Sequence, residues 1–305
     1  MSESKLINLN KYDAILLFEM SAIQYCPLSC YGKKLIVHIE DPQALKLSRL
    51  SRLSGISLLQ RAKYYIKSRL KKNYENKLLP LVGKVLLLSE ADVADLHKQG
   101  GYDNLAYVPY GVDQHDPEEI MGYEERERII VFSGNMFHLP NVEGALFFLK
   151  DIFPLILKEY QSAILYIVGA NPDNSIYKAA AKFGKQVVIT GKVADVAHYI
   201  KRSTVSICPV RLKIGVQTKI LEALSLGTPV VTTSAGNSGV AGLSGCHLWI
   251  EDDPYQFTKR VIELLQGKGW STLSKEGRKF VLENFSWEES VAQLEKNIKS
   301  VISED

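Results

Sequence analysis

The chain has 305 residues, 46% of them hydrophobic and 23% charged, and a formal net charge of +3. This is the composition of a globular protein with apolar material for two cores, and no run of about 18 apolar residues could span a membrane. The four cysteines, Cys26, Cys30, Cys208 and Cys246, lack metal-ligand spacing, and Cys208 and Cys246 lie in apolar runs as reduced core thiols do. The opening residues 1–13 hold no apolar signal core. The expected location is therefore the cytoplasm, or the inner face of a membrane as a peripheral protein.

In chain order, apolar runs at 12–18, 35–39, 85–89 and 105–109 read as strands of a first half. Between them, residues 44–77 carry ten Lys or Arg and one acid, Glu75, interleaved with Leu50, Leu53, Ile56, Leu59, Tyr64, Tyr65, Ile66 and Leu70. This basic amphipathic segment suits either an anionic membrane surface or an ordinary solvated helix face. No nucleic-acid motif accompanies it, and no nucleic-acid partner is expected. A turn at 109–113 and an acidic, patternless stretch then mark a boundary.

A second half follows, with strands at 128–133, 163–168, 186–190, 204–208, 229–233 and 247–250 and helices at 141–160, 176–183 and 193–201. Continuous Val/Ile/Leu runs suit parallel strands buried on both faces, and the alternation with helices gives doubly wound α/β domains. The expected division is 1–113, a linker at 114–127, 128–285, and a C-terminal helix at 286–305 packing back on the first domain. Ser286 followed by Glu289 is a capping box for that helix.

The chemistry concentrates in residues 209–227, PVRLKIGVQTKILEALSLG. A strand, a turn at Gly215 and a helix start together make an anion site, because the first N–H groups of a helix lack intrahelical partners. Lys219 and Glu222 share one face of that helix. At the carboxyl end of a strand they suit a sugar nucleotide, Lys219 for the diphosphate and Glu222 for the ribose; a surface ion pair is the plainer reading. The glycines Gly134, Gly169 and Gly191 each follow a strand and serve either as turns or as ledges for a ligand.

Several motifs coincide: Phe132-Ser-Gly-Asn-Met136 with Pro140-Asn141, Ile167-Val-Gly169, Thr190-Gly-Lys-Val193, Pro209-Val-Arg211, and Gly215-Val-Gln-Thr-Lys219 with Glu222-Ala223. Together they resemble the donor half of a group 1 glycosyltransferase (family 4, GT-B fold), in its polysaccharide-associated subset. The first half resembles that family at Glu19-Met-Ser-Ala, His38-Ile-Glu-Asp41, Leu88-Ser-Glu-Ala91 and Val108-Pro-Tyr-Gly-Val-Asp113.

The resemblance implies two Rossmann-like domains and a retaining transfer from a UDP-, GDP- or dTDP-sugar to a glycan or lipid-linked acceptor. It implies no metal or other cofactor. Lys219 and Arg211 would meet the departing diphosphate, and Asp41 would serve the acceptor. Gly134, Asn135, Gly169, Gly191, Lys192, Val193, Gly215, Val216, Gln217, Thr218 and Glu222 would bind the donor. The chain departs from the pattern at Ile214, where relatives carry an acid or Arg, and at Asn135-Met136, where many carry a cation. Relatives also open with additional βα units, so the N-terminal domain is expected to be shortened, with a strand edge open to homo- or hetero-oligomers. A non-catalytic or truncated nucleotide-sugar-binding subunit that partners another transferase is the alternative, and an epimerase of similar architecture fits the motifs less well.

Overall fold

The computed structural model describes residues 11–303, except 27, 29–31, 54–55, 117, 119 and 214. The chain forms two compact units, Met1–Pro109 with Glu288–Asp305, and Tyr110–Trp287. Both are built on parallel sheets, as continuous apolar strands require.

The first unit has four strands in sequential order: β1 (Ile15–Phe18), β2 (Leu35–Ile39), β3 (Lys84–Leu87) and β4 (Leu105–Tyr107). Its helices are α1 (Gln43–Leu50), α2 (Leu58–Leu78) and α3 (Glu90–Gly100). Strand alternation sends Leu35, Val37, Ile39, Val85 and Leu87 to one core with Leu96. Ile36, Leu86 and Val108 face the other way and pack on Val301, Leu294 and Ile298 of the C-terminal helix (Trp287–Ser303).

The second unit has six strands: β5 (Glu127–Ser133), β6 (Ile164–Val168), β7 (Val187–Gly191), β8 (Ser203–Cys208), β9 (Val230–Thr232) and β10 (Trp249–Ile250). Their order is β10-β9-β8-β5-β6-β7. The chain order therefore reverses where β5 lies between β6 and β8, and open α/β sheets take ligands at such a switch point, outside the carboxyl ends of the strands. Helices α4 (Leu139–Phe147), α5 (Phe153–Glu159), α6 (Asn174–Ala180), α7 (Val196–Arg202), α8 (Thr218–Ser225), α9 (Ser234–Asn237), α10 (Pro254–Leu265) and α11 (Trp270–Asn284) connect and cover them.

The single helix expected over 141–160 is instead α4 and α5 joined by a π turn, Phe148–Ile152. Pro154 stands in the first turn of α5 and has no N–H to continue a regular ladder, and the wider turn absorbs the break. At the amino ends of these strands the buried Arg126 guanidinium donates to the carbonyls of Ser203 (3.1 Å) and Leu226 (3.0 Å) and to Thr228 Oγ1 (2.7 Å). Burial pulls its pKa down to about 10, so it is still charged at neutral pH and locks that end of the sheet.

Candidate functional site

The carboxyl ends of β5, β6 and β7 terminate in Gly134, Gly169 and Gly191, all at positive φ (146°, 146° and 68°). The turns are stitched to one another. Gly134 N–H donates to Val168 O (2.9 Å), and Gly169 N–H to Gly191 O (3.2 Å). A Cβ on Gly169 would stand 1.8 Å from the carbonyl oxygen of Gly134, so glycine is required there on steric and conformational grounds alike. The buried Asn141 of α4 fixes the loop after β5: its Nδ2 donates to Asn135 O (3.0 Å). Asn135 Oδ1 in turn accepts from Phe137 N–H (3.1 Å). The result is a rigid, side-chain-free ledge at the switch point.

Helix α8 brings charge to this ledge. Ile220, Leu221, Ala223 and Leu224 are buried, which fixes the rotation of the helix and turns Lys219 and Glu222 away from the core. A Cβ on Gly134 would lie 3.2 Å from Lys219 Cε, so the lysine stem runs directly over the ledge. Lys219 Nζ donates to Gln217 Oε1 (2.9 Å) and sits 6.0 Å from the centre of the Phe132 ring. The turn before α8 is held from behind, where a Cβ on Gly239 would meet the Gly215 carbonyl at 2.2 Å.

Glu222 lines a pocket with Thr218, Asp113, His115 and Trp287. Trp287 Nε1 donates to Asp113 Oδ1 (3.1 Å). Burial pushes the Glu222 carboxyl above its ordinary range; Asp195 and Asp113 push the same way and Lys219 opposes them.

The other expected residues are placed as follows. Exposed Lys192 and half-buried Val193 follow β7, while Val216, Gln217 and Thr218 form the entry to α8. Arg211 is turned to α4, where its Nε donates to Glu143 Oε1 (2.8 Å) and its guanidinium lies 4.3 Å from the centre of the Phe147 ring. Ile214 lies outside the described residues. Asp41 belongs to the first unit and accepts from Lys46 Nζ at 2.9 Å. Beside it, Glu19 holds a left-handed φ of 69°. Burial pushes the Glu19 carboxyl up, and the charges of Glu40 and Asp41 add to the shift against a backbone hydrogen bond. The buried His38 Nδ1 has no hydrogen-bond partner among the described residues, and burial lowers the pKa of the ring.

Sequence reasoning quoted Asp113 only as the end of the 108–113 motif and gave no sign of its contact with Trp287, 174 residues away. Nor did it foresee the partner of Arg211. Among the described residues no group of three His, Cys, Asp or Glu could hold a metal ion.

The family model described as "Glycosyl transferases group 1" matches residues 127–267, from the start of β5 to just past the end of α10. Residues 127–267 are a group 1 glycosyltransferase domain. The chain is 24% identical over 291 residues to an uncharacterized 44.6 kDa protein in the cps region of Klebsiella pneumoniae, covering 92% of this chain and 72% of that protein. Among solved structures it resembles TarM, with a TM-score of 0.71 and 13% identity over 96% of this chain and 57% of that one. It also resembles Anabaena HepE in complex with UDP-glucose, with a TM-score of 0.70 and 13% identity over 98% and 80%. The chain thus spans little more than half the length of TarM. The glycosyltransferase domain and the sheet before it share the GT-B architecture of these structures. The ledge, Lys219 and Glu222 all fall inside the matched segment.

Proposed function

We propose that the protein transfers a sugar from a nucleoside-diphosphate donor to a hydroxyl of a surface-glycan or lipid-linked acceptor, with retention of anomeric configuration. The observation that carries this reading is the Gly134–Gly169 crossing with the Lys219 stem laid across it. A diphosphate can approach backbone this closely only where no Cβ intervenes, and a cation is already aimed there. Lys219 exchanges Gln217 for the departing diphosphate, whose charge grows as the bond between the sugar C1 and the phosphate oxygen breaks. The acceptor oxygen bonds to C1, and its proton passes to the leaving phosphate oxygen. Glu222 accepts from the ribose hydroxyls in charge-assisted bonds. Arg211 reaches the diphosphate only by leaving Glu143, so Lys219 carries most of that duty.

Uridine is the favoured base because a similar structure, HepE, holds UDP-glucose. A cps-region relative supports a polysaccharide acceptor. No metal takes part in this scheme, so chelation leaves turnover unchanged. The test is thermal shift with UDP-, GDP- and dTDP-sugars on folded protein. UDP-sugars raise the melting temperature, and Glu222→Ala weakens their binding by about 1–3 kcal/mol, the scale of hydrogen bonds to a charged group. Stabilisation by no nucleotide overturns the donor reading and favours the non-catalytic subunit.

A further inference from the structure

Helix α2 is amphipathic in the inverted sense. Its buried residues are polar, Ser68 and Glu75. Both are tied to α1: Ser68 Oγ donates to Ala44 O (2.9 Å) and Glu75 Oε1 accepts from Ala44 N–H (3.0 Å). On the opposite side, at spacings of seven and four, stand Leu59, Ile66 and Leu70, with 84%, 58% and 64% of their surface exposed. A capping box at Ser57 and Gln60 fixes the start of the helix, so this ridge is presented on a defined rod about 30 Å long. The helix carries seven Lys or Arg and one acid, the inward Glu75. Lys63, Lys67 and Arg69 are exposed and flank the ridge. Arg69 is steadied by Tyr65, whose hydroxyl it meets at 3.1 Å.

We propose that this face of α2 docks the protein on an anionic lipid bilayer. Leu59, Ile66 and Leu70 enter the headgroup and acyl boundary, while the flanking cations lie over lipid phosphates with their alkyl stems along the apolar side. Charge complementarity selects this occupant. Two copies of the helix face to face would oppose two dense fields of like charge. A polyanion without an apolar phase would leave the aliphatic ridge in water. The sequence alone spread this surface over 44–77; α1 drops out because Ala44, Leu45 and Leu50 are buried.

The experiment is co-sedimentation of the full chain with vesicles of phosphatidylglycerol and phosphatidylcholine, against vesicles of phosphatidylcholine alone. Binding to the anionic vesicles that weakens with added salt is the expected result. Lys63→Ser with Lys67→Ser lowers it roughly twenty-five-fold, at about fivefold per cation. Leu59→Ser, Ile66→Ser and Leu70→Ser together lower it roughly tenfold or more without changing the melting temperature, because the ridge supports no core. An Ile66→Trp variant gives a blue-shifted emission on the anionic vesicles. Equal binding to both vesicle types, no binding to either, or emission unchanged by lipid overturns the proposal. So does self-association with protein concentration that the triple serine variant abolishes while vesicle binding is absent.

Discussion

The two sheets end in opposite chemistry. In the second unit the heads of β5, β6 and β7 are glycines, and the Lys219 stem passes over the first of them, Gly134. In the first unit the heads of β1 and β2 carry Glu19, Glu40 and Asp41, and one of them, Glu19, is held in a conformation that costs a non-glycine residue energy. Both units repeat one parallel α/β plan, so the plan does not dictate this difference. On the proposed function, the first set of heads would repel a diphosphate and offer acceptors to a sugar hydroxyl, and the second would draw the diphosphate in. Fold and site thus separate: the sheets supply platforms, and a few residues just past the strands decide what each platform binds.

The strongest way to break this contrast is to put a side chain on the glycine ledge. Gly169→Ala places a methyl against the Gly134 carbonyl and asks alanine for a φ of 146°. Strain and overpacking together are expected to cost about 3 kcal/mol in stability, with loss of nucleotide binding. Urea unfolding and calorimetric titration with UDP measure the two effects. Retention of full UDP affinity would show that the diphosphate does not use this ledge.

Glu222 sharpens the contrast by its pH dependence. Its carboxyl is raised by burial first, so the folded protein holds the proton more tightly than the unfolded chain does. The stability this provides is complete below the ordinary value of 4.5 and is lost as pH rises through the higher folded value. At neutral pH the ionised group is therefore a cost, and Glu222→Gln should raise the melting temperature while weakening UDP binding by about 1–3 kcal/mol. UDP affinity of the unchanged protein should begin to fall on acidification while the pH is still above 4.5. A melting temperature lowered by Glu222→Gln would contradict the burial argument.

The sheets and the glycine heads were legible in the sequence, for physical reasons. Strands buried on both faces are continuously apolar, as in β2 and the 129–132 stretch of β5, and the runs named from the sequence overlap all ten strands, the partly buried β1, β4, β7 and β10 included. The spacing of Lys219 and Glu222 on a helix with buried Ile220 and Leu224 likewise reads directly from its period. What was not legible depends on contacts between distant segments. The engagement of Arg211 by Glu143 spans 68 residues, and the Gly134–Gly169 crossing exists only once β5 and β6 are paired. The inverted helix α2 is a third case. Its composition showed cations and leucines together, but only its docking on α1 shows that the polar side faces in.

Asp41 gives the mildest test, and the most selective. It is partly exposed and paired with Lys46, an arrangement worth at most about 1 kcal/mol to stability. Asp41→Asn keeps the size of the side chain and removes the charge. If the first unit serves the acceptor alone, this change leaves UDP affinity and the melting temperature nearly untouched. The acceptor KM then rises by roughly tenfold, the equivalent of about 1.4 kcal/mol for a hydrogen bond to a charged group. Steady-state kinetics with donor and acceptor varied separately resolve the two constants. A change confined to the donor would move Asp41 to the other side of the reaction and erase the division of labour between the two sheets.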